Sequence, residues 1–136
     1  MTAIRGLGEV AFRTERLGEM AEFYGTVLGL DRVDDPPFDD SAFFRAGDGV
    51  GGHTQVLVLF DRSGSSEYVP PEAERTPVDH VAFGIERSDF DAEAERLEGL
   101  GYDLDYAYHD WVGWRSLYLH DPDGNHVELV CHDPEG

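Results

Sequence analysis

Hydrophobic and polar positions change period along this chain in a regular way. From Gly8 to Arg13, Val10 and Phe12 alternate with Glu9, Ala11 and Arg13, the period of a half-buried strand. Leu17, Met20, Ala21, Tyr24 and Leu28 then recur at helical spacing, with Thr14 placed to cap the helix and Gly29 placed to end it. A second strand-helix pair follows later. Val81, Phe83 and Ile85 alternate; Phe90, Ala94 and Leu97 form the stripe; Ser88 is the expected cap, with Asp91 three residues on, and Gly101 is the expected stop. After each helix come short extended runs: Ala42 to Ala46 and Thr54 to Phe60 in the first half, Tyr102 to Tyr108, Trp114 to His120 and His126 to Cys131 in the second. The turn Asp121-Pro122-Asp123-Gly124 joins the last two, with Pro second and Gly fourth. The glycines between Gly47 and Gly52 read as a hairpin connection.

The two halves are copies of one plan. Glu9-Val10-Ala11-Phe12 recurs as His80-Val81-Ala82-Phe83, Leu28-Gly29 as Leu100-Gly101, and Asp48, Gly51, His53 and Gln55 as Asp121, Gly124, His126 and Glu128. A near-constant offset over half the chain points to a duplicated strand-helix-strands unit. The expected organisation is a first module over 1–62, a polar linker over 63–77 and a second module over 78–136, together one domain. A small sheet covered by one helix leaves its second face bare, and pairing the modules would protect it.

Composition narrows the partners. Of 39 charged residues, 29 are acids and 10 are bases, giving a net charge of −19, and every base is Arg. Nucleic acid is excluded as an expected partner, because a phosphate backbone needs a basic footprint. No apolar run approaches the roughly 18 residues of a membrane span, and no basic stretch followed by an apolar one marks a signal peptide. The single Cys131 cannot form an internal disulfide, which suits a cytoplasmic setting. The acidic excess suggests adaptation to concentrated salt, with Arg-biased codon usage as the plainer explanation.

Three stretches carry a family resemblance: Val10-Ala11-Phe12 with Phe23-Tyr24 and Leu28-Gly29-Leu30, then Asp79-His80-Val81-Ala82-Phe83, and above all the closing Leu117-Tyr118-Leu119-His120-Asp121-Pro122-Asp123-Gly124-Asn125-His126-Val127-Glu128-Leu129. Together they resemble the vicinal oxygen chelate superfamily, also called glyoxalase/bleomycin resistance/dioxygenase. That resemblance implies an α+β fold of two βαβββ modules forming a cupped, incomplete barrel around a divalent ion (Zn, Ni, Mn, Mg or Fe). It also implies a small-molecule substrate and a homodimer. Carried over, the metal ligands are Glu9, Gln55, His80 and Glu128, with Glu128 or Glu9 also moving a proton in catalysis. The alternation of both opening strands agrees, since Glu9 and His80 lie opposite the apolar residues beside them. His53 shares the strand face of Gln55, so the residues leave either open at that position.

Each ligand also has a structural reading. A strand His is often a hydrogen-bonded framework residue, Glu9 could be one more surface acid, and Glu128, inside Val127-Glu128-Leu129-Val130, needs a partner if buried. Trp114, Ser116 and Tyr118 alternate onto one face and are the expected substrate wall, with Tyr106, Tyr108 and Trp111 just before them; the same residues could be plain core. The resemblance implies a metal-dependent lyase or isomerase that chelates adjacent substrate oxygens. The alternatives are a metal-free binding protein of the bleomycin-resistance type and an extradiol dioxygenase. The dioxygenase stands lowest, because Glu9 occupies a position where a two-His-one-carboxylate triad needs an imidazole.

Overall fold

The computed structural model describes residues 3–72 and 74–136. Ala73, within the expected linker, lies outside them. The chain divides into two compact units, Met1–Pro71 and Glu72–Gly136.

In the first unit, β1 (Glu9–Thr14) pairs in parallel with β3 (His53–Asp61), which pairs antiparallel with β2 (Ser41–Val50). The helix between β1 and β2 starts as α1 (Leu17–Glu22) and continues as a π-helical turn over Phe23–Val27. Thr14 does not cap α1. Its hydroxyl accepts the Arg16 amide at 2.9 Å in a local turn, and the helix begins at Leu17. Met20, Phe23 and Tyr24 bury against Leu57, Leu59, Ala42 and Phe44, and Phe12 meets Tyr24 edge-on at 6.4 Å. Each such side chain, once buried, contributes about 1.5–3 kcal/mol. Gly29 (φ +79°) ends this helix and Gly101 (φ +94°) follows the second, a backbone region that other residues enter only with strain.

The third strand expected of a βαβββ unit is here reduced to one bridge, Arg32 to Phe44. The backbone bonds from Val33 to Phe43 and from Arg45 to Asp31 hold it. The glycine-rich stretch is not a loop, because β2 runs on to Val50 with two register shifts and turns only at Gly51 and Gly52.

The second unit carries the complete plan: β4 (His80–Gly84), α2 (Arg87–Gly99), β5 (Asp105–His109), β6 (Trp114–His120) and β7 (His126–His132), in the sheet order β4-β7-β6-β5. The cap of α2 is Glu86, with extended φ and ψ, rather than Ser88; the helix starts at Arg87, one residue ahead of that serine. Phe90, Ala94 and Leu97 of α2 bury against the sheet face made by Leu117, Leu119, Val127, Leu129 and Cys131. Arg115 belongs to that face too, lying 4.2 Å over the Phe90 ring and bonding Asp91. Both units therefore carry the α+β, βαβββ plan expected from the duplicated pattern, the first in abbreviated form.

Candidate functional site

Strand register decides which side chains share the bare face of the second sheet. Parallel pairing sets His80 beside His126 and Ala82 beside Glu128, while antiparallel pairing sets Tyr118 beside Glu128, Ser116 beside Val130 and His109 beside Trp114. Paired residues point to the same side of a sheet. His80, His109, His120, His126 and His132 consequently share one face with Glu128, Tyr118, Ser116 and Trp114. Five of the six histidines of a strongly acidic chain thus lie on one sheet face.

The hairpin that closes this face is held by its own acid. Asp121 accepts the amides of Asp123 and Asn125 at 3.0 and 2.9 Å, and the Asn125 side chain at 2.8 Å. The turn fixes the register of β6 on β7, and with it the position of Tyr118 over Glu128.

Glu128 is the centre of the site. It is 6% exposed, so an ionised carboxylate here requires strong partners. Its Oε2 accepts the Ser116 hydroxyl at 2.5 Å, and its Oε1 stands 2.9 Å from His80 Nε2. On the other side of the ring, His80 Nδ1 lies 2.7 Å from Asp79 Oδ1, so each ring nitrogen faces a carboxylate oxygen. A neutral imidazole has one N–H for these two acceptors, and a second proton or a cation satisfies the other contact. The Tyr118 hydroxyl lies 3.3 Å from His109 Nε2. Burial, then the Glu128 charge, pushes the Tyr118 phenol above its ordinary range, so it stays a protonated donor. His80 and His126 both pack on the Tyr118 ring, with centroids at 6.1 and 5.0 Å, and His120 stacks on His126 at 4.8 Å.

The donor chemistry fits a divalent ion at two positions. Neighbouring ligands of an octahedral ion at about 2.1 Å stand about 3.0 Å apart, close to the observed pair spacing. An imidazole whose far nitrogen is held by a carboxylate is the usual form of a metal-bound His. Catalytic zinc sites draw on three protein ligands, and among the described residues no group of three or more His, Cys, Asp or Glu side chains converges. The pair fits as two ligands and needs further donors.

The remaining expected residues fall elsewhere. Glu9 is exposed at the start of β1, on the bare face of the first sheet, in register with Val56. Gln55 points the opposite way. It follows the alternation of Leu57 and Leu59 on the helix-covered face and packs against Gly47, where an added Cβ would meet its Oε1 at 2.6 Å. His53 shares that face and lies against Gly8. Glu9 and Gln55 thus do not face the same way, contrary to the expectation of one ligand set drawing on both. Trp114 lies half-exposed at the head of β6 with Trp111 tilted against it at 6.2 Å, so these two supply an apolar edge to the bare face. Tyr106 and Tyr108 are on the other side, the first bonding Glu98 of α2, which pushes its phenol up to about 12. From the sequence, His109, His120 and His126 read as turn or rim residues outside the site; all three lie on the face of Glu128, as the period-two spacing of His126 from Glu128 implies.

Two duplicated α+β units of this plan are the architecture that the family resemblance implies. A family model described as a glyoxalase-like domain matches residues 9–130, and the chain belongs to that family. A glyoxalase/dioxygenase from Nostoc punctiforme is similar in structure, with 25% identity, 98% of this chain and 94% of that chain covered, and a TM-score of 0.74. A lactoylglutathione lyase from Agrobacterium tumefaciens shares 27% identity over 90% of each chain, at a TM-score of 0.65. The fosfomycin resistance protein FosX from Listeria monocytogenes, at 22% identity, covers 94% of this chain and 93% of its own, at a TM-score of 0.66, and shares the fold. No curated protein matches the sequence significantly. No helix among the described residues is long and apolar enough to cross a membrane.

Proposed function

We propose that this chain is a divalent-metal-dependent lyase or isomerase acting on a small compound with two adjacent oxygens, and that His80 Nε2 and Glu128 Oε1 are two of its metal ligands. The observation that carries the reading is their 2.9 Å approach, with the outer atoms of both groups already engaged by Asp79 and Ser116. When bound, the ion would act as a Lewis acid on the two substrate oxygens and on the enolate or oxyanion that develops there. The lactoylglutathione lyase relative supports lyase chemistry of this kind.

The protein's own groups then have separate tasks. The Tyr118 phenol, kept protonated, donates to a substrate oxygen and returns no charge to the site. Trp114 and Trp111 offer apolar surface at the edge of the face and exclude water from it. Glu9, an exposed carboxylate on its own sheet, is read from the family resemblance as a further ligand or proton acceptor. Metal analysis of untagged, dialysed protein tests the proposal. About one divalent ion retained or taken up per chain, lost in Glu128→Gln, supports it; no uptake of zinc, nickel or manganese refutes it.

The second reading is a metal-free binding protein. The absence of a third converging ligand among the described residues favours it, because an imidazolium on Glu128 would satisfy the pair alone. Tight ligand binding unaffected by chelators would support that reading.

A further inference from the structure

Nearly every arginine of this acid-rich chain is engaged. Seven of the ten lie within 3.7 Å of an acid, and Arg5 also makes a contact. Arg13 and Arg62 form no ion pair among the described residues, and both stand at one ring. Parallel pairing sets Arg13 beside Phe60 on the bare face of the first sheet, and the Arg62 guanidinium lies 5.2 Å over the Phe60 ring. Arg62 donates to the Asp61 carbonyl at 3.3 Å and acts on the Asp61 charge only from beyond ion-pair distance. With 29 acids against 10 bases, two guanidiniums left without an acid at one ring keep donors open for an anion from outside.

Apolar surface leads away from the same ring. Phe43 meets Phe60 edge-on at 6.3 Å, and Phe38 meets Phe43 at 5.9 Å. Phe43 pairs with Val58 in register, so this row belongs to the bare face. Val33, Pro36, Pro37, Phe38 and Phe43 line a cleft of about 460 Å³. Phe38 is 57% exposed, a large ring that the fold leaves uncovered. Two acids also line the cleft: Asp34 is sealed by Arg32, and Asp35 is exposed. An anionic head placed beside Asp35 would be repelled, whereas at Phe60 it meets two cations.

We propose that the bare face of the first sheet binds an amphipathic monoanion, a carboxylate or sulfonate with an elongated apolar tail. Arg13 and Arg62 take the head, and the row Phe60, Phe43 and Phe38 takes the tail and leads it into the cleft. A guanidinium offers paired N–H donors that match a carboxylate, and here no side-chain acid occupies them. Glu9, the acid of this face on β1, stands four residues before Arg13. At the rise of a strand that is about 13 Å, longer than the screening length of about 10 Å at 0.1 M salt. The site lies wholly within the first unit and needs no metal ion.

Calorimetric titration of the untagged full chain with decanoate, in the presence of EDTA, tests this independently of the metal-dependent reading. Wild type is expected to bind decanoate at a single site, and decanol at least about 10-fold more weakly, because the alcohol brings no charge to the arginines. Arg13→Gln combined with Arg62→Gln should weaken decanoate about 10- to 100-fold and leave decanol within about threefold. Phe38→Ala, at an exposed ring, should weaken both ligands alike by about 3- to 10-fold, as loss of apolar contact does. No decanoate binding up to about 1 mM, decanol as tight as decanoate, or a double variant within about threefold of wild type overturns the proposal. Tighter binding of decyltrimethylammonium than of decanoate also overturns it, since net charge and not the two arginines would then set the preference. If the double variant fails to fold, Arg13→Gln alone replaces it, at an exposed side chain: a loss of about 3- to 10-fold supports the proposal, and unchanged affinity refutes it.

Discussion

Asp34 of the first unit and Glu128 of the second are both buried carboxylates, and their surroundings treat them in opposite ways. In the first, Asp34 is sealed. Arg32 grips both oxygens at 2.9 and 3.0 Å, and the amides of Phe43 and Phe38 add 3.1 and 3.3 Å bonds. In the second, Glu128 has no arginine and no amide; a hydroxyl holds one oxygen and an imidazole faces the other. Of the other buried acids, Asp121 is held within its own turn, and Asp133 stands 3.6 and 4.0 Å from Arg87 and Arg115. A carboxylate with every lone pair answered by a fixed donor is framework. Glu128 alone among these four faces an imidazole nitrogen, with its other oxygen held by a hydroxyl.

Exchanging the two acids for their amides gives the largest contrast. Glu128→Gln should lower metal affinity on the order of 100-fold or more while the fold survives, because shape is kept and charge is lost. Asp34→Asn should leave metal binding untouched and destabilise the protein by about 2–3 kcal/mol, less than a fully buried pair because Arg32 is partly solvated. Denaturant melts and metal titrations on both variants check this. Equal losses of metal from both would erase the distinction.

A second contrast is with pH. Burial opposes ionisation of Asp34, but the Arg32 hydrogen bonds and the backbone amides outweigh it and hold the carboxyl below its ordinary value of 3.8. A group depressed in the folded state contributes stability that is full above its unfolded pKa and fades as pH falls through the lower folded value. Stability should therefore drop on acidification below about pH 4, and Asp34→Asn should flatten that part of the curve. Equilibrium melts between neutral pH and pH 2 measure both slopes.

The comparison also shows what the chain could reveal in advance. Strand β1 alternates cleanly, so the outward face of Glu9 was readable. Strand β3, Thr54-Gln55-Val56-Leu57-Val58-Leu59, is apolar on both faces, and nothing local marks which way Gln55 points; pairing with β1 and β2 decides it. His80 and Glu128 were legible from the duplication and the closing hairpin. The bond of Ser116 to Glu128 was not, because it runs diagonally between strands whose register is set by the Asp121 turn. The full strand of the second unit was legible in the run Tyr102 to Tyr108, whereas no comparable run precedes Ser41, where the first unit has only the Arg32–Phe44 bridge.

Smaller effects concern the surface. Asp79→Asn should weaken metal binding by no more than about tenfold, since its side chain is solvated and the Nδ1 proton keeps an acceptor. With a net charge of −19, the melting midpoint should rise with sodium chloride as the Debye length falls from about 10 Å at 0.1 M to about 3 Å at 1 M. A flat series would remove the salt-adapted reading of the composition.

The most direct measurement is long-range ¹H–¹⁵N NMR of the histidine rings before and after one equivalent of Zn²⁺. His80 should keep its proton on Nδ1, held by Asp79, while the Nε2 resonance moves to the range of a metal-bound nitrogen, with Glu128→Gln abolishing the shift. If His80 Nε2 instead carries a proton on Glu128 throughout, and zinc perturbs other histidines or none, the pair is a structural ion pair and the account is contradicted.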